Sequence, residues 1–98
     1  MNSVNVIGRV VGPCDLYENR AGILVCQLRL AVPRRAREGN PEPGVVYIDV
    51  AAFDDEARRY SALLSDGSRV GITGRLDSDE PSDAPEWSGV LIDHLSVL

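Results

Sequence analysis

Residues 45–64 read VVYIDVAAFDDEARRYSALL, and a change of pattern inside this stretch decides the fold. The first nine residues alternate. Tyr47, Asp49 and Phe53 fall on one side and Val46, Ile48, Val50 and Ala52 on the other, the period of two of a half-buried strand. From Asp54 the period lengthens. Ala57, Tyr60, Leu63 and Leu64 recur at helical spacing, with Asp54 positioned to cap the helix and Asp66-Gly67 to end it. A strand therefore runs directly into a short helix.

Two strands are read before it and two after. Residues 4–11 (VNVIGRVV) are rich in Val and Ile and close at Gly12-Pro13. In residues 23–32 (ILVCQLRLAV), Leu24, Cys26, Leu28 and Leu30 face one way and Val25, Gln27 and Arg29 the other. Pro33, lacking an N–H for the ladder, is expected to end that strand. Pro, Gly and Asn in residues 33–44 (PRRAREGNPEPG) read as a long loop. RVGITGRL (69–76) and WSGVLIDHLSVL (87–98) supply the last two strands, with Gly71 and Gly74 marking bends of the kind barrel corners need. The order strand–strand–strand–helix–strand–strand predicts an all-β OB-fold, a five-stranded Greek-key barrel with one short helix between strands three and four. An SH3-like barrel has comparable strands but rarely a ten-residue helix at that point. No internal repeat is visible, so residues 1–98 are read as a single domain.

The chain has 98 residues, of which 44% are hydrophobic and 26% charged, an ordinary globular composition. A domain of this size buries roughly 60–65% of its unfolded surface, enough for one core. No apolar run approaches the ~18–20 residues of a membrane span, and MNSVNVIGRV lacks the charged-then-apolar order of a signal peptide. The expectation is a soluble cytoplasmic protein with no membrane partner. Cys14 and Cys26 are too few for a disulfide scaffold and lack metal spacing. They read as a loop thiol and a core-face residue.

Ten arginines, no lysine and fifteen acids give a net charge of −5, which would ordinarily argue against a nucleic-acid partner. The distribution matters more than the total. DSDEPSDAPE (77–86) holds five acids and no base, so outside it ten acids balance ten arginines. That segment reads as a solvated loop, with polyanion mimicry as the sharper alternative. The opposite bias lies at Arg29, Arg34, Arg35 and Arg37.

Taken in order, VNVIGRVVGPCDL, AGILVCQLRLAVPRR, VVYIDVAAF and DGSRVGITGRL resemble the bacterial single-stranded DNA-binding protein family. The similarity covers nearly the whole chain and weakens at 36–45 and 77–89. It implies binding of exposed single strands without base preference, in DNA replication, repair or recombination. It also implies a homo-oligomer, a tetramer by resemblance with a dimer as the alternative, in a bacterial or phage setting associated with the nucleoid. Such binding stacks bases on aromatic faces and neutralises phosphates with basic side chains. By resemblance Tyr47 and Phe53 occupy the stacking positions of the third strand, and Arg34 and Arg35 match the family's basic pair. Arg29 and Arg75 are further phosphate candidates. Trp87 reads either as a replacement stacking platform or as a strand-start anchor. The blander readings are aromatics packed on a neighbouring loop or subunit and solvated arginines. Tyr17 reads as a loop residue covering the core.

The chain also departs from the family pattern. Ala36 stands where an aromatic often follows the basic pair, Asp49 where a basic or amide residue is common, and the loop at 77–86 is acidic where the family's is commonly basic. The family's long tail with an acidic, partner-binding tip is not seen before the sequence stops at Leu98. Losing a stacking platform costs ~1–3 kcal/mol per base, so weaker binding than the family norm is expected. The alternative is an OB-fold interaction module of primosomal type, with a replication or repair protein as partner and weak or lost DNA binding. Catalysis is disfavoured. His94 has no second ligand at useful spacing, Ser61, Ser65 and Ser68 lie near no nucleophile elbow, and GITG is too short for a phosphate loop. Neither cofactor nor metal is expected.

Overall fold

The computed structural model describes residues 1–36, 38–39, 43–78 and 89–98. Five strands and one helix follow in the order β1 (Val4–Glu18), β2 (Leu24–Arg34), β3 (Gly44–Phe53), α1 (Asp54–Leu63), β4 (Arg69–Asp77) and β5 (Gly89–Val97). The strands close into a barrel in the order β1-β2-β3-β5-β4. All neighbours are antiparallel except β3 and β5, which run parallel and pair only at Val50–Val90 and Ala51–Leu91. This is the OB-fold.

Alternation builds the core. On β2 and β3 the even-numbered residues Cys26, Leu28, Leu30, Val50 and Ala52 point inward and are buried. They meet Val10 of β1, Val70 and Ile72 of β4, and Val90, Ile92 and Leu95 of β5. The helix closes one end of the barrel with Ala57 and Tyr60, joined by Leu64 just past its last turn, and the Tyr60 ring is among the largest fully buried side chains. Each such aliphatic or aromatic side chain contributes about 1.5–3 kcal/mol of transfer free energy.

Several local expectations are corrected. Strand β1 does not stop at Gly12-Pro13 but runs on to Glu18, because a register shift between Val11 and Asp15 absorbs the irregular residues. Gly12 takes a positive φ of 76° there, and its N–H donates to Asp66 Oδ1 at 2.8 Å. Tyr17 is thereby a strand residue, and its hydroxyl hydrogen-bonds Gln27 Oε1 at 2.8 Å. Cys14 is likewise no loop thiol, since it forms a disulfide with Cys26 across β1 and β2. Pro33 does not end β2. It sits opposite Val45, one residue before the strand's last member, Arg34.

The helix also starts and stops differently. Asp54 is its first residue and not its cap, which is Phe53, and no side chain caps the N–H groups. Asp54 adopts a φ of 56°, a left-handed corner that Asp tolerates better than most residues and that turns β3 straight into the helix. The acids Asp54, Asp55 and Glu56 then complement the helix dipole. The helix ends at Leu63, and Asp66-Gly67 forms the following turn, with Gly67 at a φ of 88°.

Candidate nucleic-acid interface

The odd-numbered residues of β2 and β3 point away from the core and meet outward residues of every other strand. One row of cross-strand neighbours spans the barrel as Arg75, Leu91, Ala51, Gln27 and Asp15. Period-two geometry places Tyr47, Asp49 and Phe53 on this same surface. Tyr47 stands opposite Ala31, whose small side chain leaves the ring uncovered, and it is 59% exposed. Phe53 lies six residues further along, roughly 20 Å at ~3.3 Å per residue. It is half-buried and packs on Ala51 and Leu91, a small apolar cluster outside the barrel core. The two aromatics expected to act alike are therefore different: one is free, the other partly used in packing.

A groove opens beside Tyr47. Because β3 and β5 pair at only two positions, the earlier part of β3 diverges from the β4–β5 hairpin. Tyr47, Ile48 and Asp49 line one wall, and Leu76, Asp77, Ser78, Gly89 and Val90 the other. Leu76 is 60% exposed. A groove lined by an exposed aromatic and an exposed aliphatic side chain is a surface on which a planar base can lie. Leu76 was missed from sequence because its even position in RVGITGRL reads as core. In the structure it is exposed although its register partner, Val90, is buried in the core.

The arginines are distributed less simply. Arg29 faces Asp49 across β2 and β3, with Nε 3.3 Å from Oδ1. Arg75 on β4 donates from Nη1 to Asp93 Oδ1 on β5. Both phosphate candidates thus have an acidic neighbour. The position of Asp49 was visible in the sequence but its partner was not, and Asp93 was not singled out. Arg34 ends β2 opposite Gly44 and lays its guanidinium across the space a side chain at Gly44 would take. Arg35 is exposed just beyond the strand. Arg37, Trp87 and the acidic run from Asp79 to Glu86 lie outside the described residues.

Other expected features are placed as follows. His94 is exposed on β5, with Nε2 3.1 Å from the Ser96 hydroxyl. Among the described residues no three His, Cys, Asp or Glu side chains form a metal cluster. No helix among them is long and apolar enough to cross a membrane.

Comparison with known proteins agrees with this geometry. A model of the single-strand binding protein family matches residues 1–87. The chain is 28% identical over 78 residues to single-stranded DNA-binding protein 1 of Staphylococcus aureus, covering 80% of this chain and 50% of that protein. It is 30% identical over 83 residues to single-stranded DNA-binding protein 1 of a Nostoc species, covering 85% of this chain and 66% of that one. The chain thus spans about half to two thirds of the length of these relatives. The crystal structure of the wild-type single-stranded DNA-binding protein from Thermus aquaticus superposes with a TM-score of 0.79 at 22% identity, over all of this chain and 50% of that one. At that identity the match establishes the shared barrel.

Proposed function

The chain belongs to the single-strand binding protein family, and on that premise we propose that it binds single-stranded DNA without base preference, as a non-enzymatic protein of DNA replication, repair or recombination. The observation that carries this reading is the uncovered Tyr47 ring at the mouth of the β3/β4–β5 groove, which the exposed Leu76 also lines. Every base has a π-face, so stacking on an exposed aromatic holds a strand irrespective of sequence, at about 1–3 kcal/mol per base. Phe53 contributes a second, partly covered surface. Arg34 and Arg35 at the end of β2, with Arg29 and Arg75 on the flanks, supply phosphate contacts. A protein with this task works beside the chromosome, in the bacterial cytoplasm.

Self-association belongs to the same proposal. Away from the interface, Ile7 is 51% exposed and Leu98 55%, and they line an apolar groove running over β1, β4 and β5. A second copy covering that surface makes the assembly a homo-oligomer. Its mass, measured by light scattering, tests this part; a monomer at micromolar concentration refutes it.

The direct test of binding is the anisotropy of a labelled oligo-dT titrated with protein at low and moderate salt, with duplex of the same length as control. Selective binding of the single strand that weakens with salt is the expected result. No binding at low salt would leave the barrel as a family scaffold that does not hold DNA.

A further inference from the structure

We infer that Asp49 and Asp93 are built-in competitors of DNA phosphate, so that a bound strand must take Arg29 and Arg75 from carboxylates already on the protein. This deepens the reading of the face as a single-strand interface and rests on it.

The two ion pairs have the same construction. Each joins neighbouring strands on the outer surface, Arg29 to Asp49 across β2 and β3 and Arg75 to Asp93 across β4 and β5. Both lie beside the stacking residues. Asp49 follows Tyr47 by two residues and lines the groove, whereas Arg75 is opposite Leu91, on which Phe53 packs. Neither pair is buried. The side chains are 58% and 38% exposed for Arg29 and Asp49, and 47% and 51% for Arg75 and Asp93. A phosphate can reach either guanidinium from solvent without opening the fold.

The contacts are also sparse. Each runs through one nitrogen and one oxygen, and a guanidinium has five N–H donors. A carboxylate that served to aim the arginine would hold both edges of the fork and be shielded from water. These are not. An exposed pair of this kind is weak, worth about a two- to fivefold change in an equilibrium constant, so phosphate displaces the carboxylate at modest cost.

Exchange of partners has a consequence for salt dependence. A phosphate neutralised by a free arginine sheds its condensed counterions, and affinity falls with salt accordingly. When the arginine comes from a carboxylate, that carboxylate is left bare and recruits a cation from solution. The second movement partly offsets the first. The wild-type protein should therefore bind with a flatter salt response than the number of arginines on its face implies.

The experiment compares wild type with Asp49→Asn, Asp93→Asn and the double variant, using oligo-dT anisotropy at a series of salt concentrations. Asp15→Asn serves as the control. Asp15 lies on the same outer row, opposite Gln27, and has no arginine against it among the described residues. Each of the first two substitutions is expected to steepen the slope of log K against log salt, by at most about 0.7, the value for one phosphate on a single strand. Affinity at low salt should rise about two- to fivefold for each, and the two gains should multiply because the pairs lie on different strands. Asp15→Asn should do less than either. Weaker binding in Asp49→Asn or Asp93→Asn overturns the inference, since the carboxylates would then be orienting the arginines. An unchanged slope, or an equal change in Asp15→Asn, overturns it as well. If wild type and all variants fail to bind oligo-dT, the proposed function falls and this inference with it, an outcome distinct from binding that ignores the substitutions.

Discussion

Replacing Gly74 by Ala tests the barrel itself. Gly74 is buried in β4 beside the register shift with β5, where the two backbones approach closely. A Cβ built there overlaps the Leu91 carbonyl oxygen and lies 2.8 Å from Val90 Cγ1 and 3.1 Å from the Leu91 carbonyl carbon. Carbon atoms pack comfortably at ~3.5–4.0 Å, so β4 and β5 must part by about 1 Å or break their pairing locally. The obstacle is mainly backbone, which cannot rotate away as a side-chain tip would. The cost belongs at the upper end of the range for overpacking, about 3 kcal/mol. In a domain of this size that lowers Tm by about 12–24 °C. Gly71, three residues earlier on the same strand, provides the comparison. Its added Cβ meets only Leu98 Cδ1 at 3.7 Å and Ile7 Cγ1 at 3.9 Å, ordinary contacts. Gly71→Ala should leave Tm unchanged or raise it slightly, because Ala restricts the unfolded chain more than Gly does. Thermal unfolding followed by circular dichroism measures both. A fall of less than about 4 °C in Gly74→Ala, or equal falls in the two variants, would refute the argument from close approach.

The interface gives three more expectations. Tyr47→Ala should weaken oligo-dT binding by about five- to 150-fold, one stacked base, while leaving Tm in place. Phe53→Ala should do the reverse in emphasis, with a smaller loss of binding and a drop of about 1–3 kcal/mol in unfolding free energy, because its ring covers Ala51 and Leu91. Equal losses of binding without any loss of stability would show that Phe53 is as free as Tyr47. At Gly44, the atoms nearest an added Cβ belong to the Arg34 guanidinium, with Nη2 at 2.6 Å. That group can swing aside, so Gly44→Ala should cost under about 1 kcal/mol in stability and change DNA affinity two- to fivefold through the displaced arginine. A large loss of stability in denaturant titration would mean that Arg34 is fixed in place.

What was legible in the sequence follows from what is local. The alternation in ILVCQLRLAV and VVYIDVAAF marked β2 and β3 and sorted their faces correctly, since side-chain direction in a strand depends only on parity. The helix was visible from its apolar spacing, and the order of elements then led to the barrel. The failures come from pairing. Gly12-Pro13 is a stop signal in isolation, and only the neighbouring strand turns it into a bulge that β1 passes through. The disulfide was hidden for the same reason. Cys14 lies in the bulged stretch between Val11 and Asp15, two residues before Leu16, the register partner of Cys26, and neither segment alone shows that bulge. Of the site, Tyr47 and the even offset to Phe53 could be read directly. That Phe53 is covered, that Leu76 leaves the core, and that Arg29 and Arg75 each meet an acid are all facts of strand-to-strand register.

The division of β1 between two partners bears on how the chain is made. Its first half, Val4 to Arg9, pairs with β4, and its second half, from Arg9 onward, with β2. During synthesis the hairpin with β2 can form early, but the β4 partner emerges about sixty residues later, several seconds at ~5–20 residues per second. Throughout that interval VNVIGR is a nascent apolar edge with unsatisfied amides, the kind of segment that seeks strands on other chains. Crowded polysomes are thus the setting in which this small barrel is most exposed to misassembly, before any DNA is in reach.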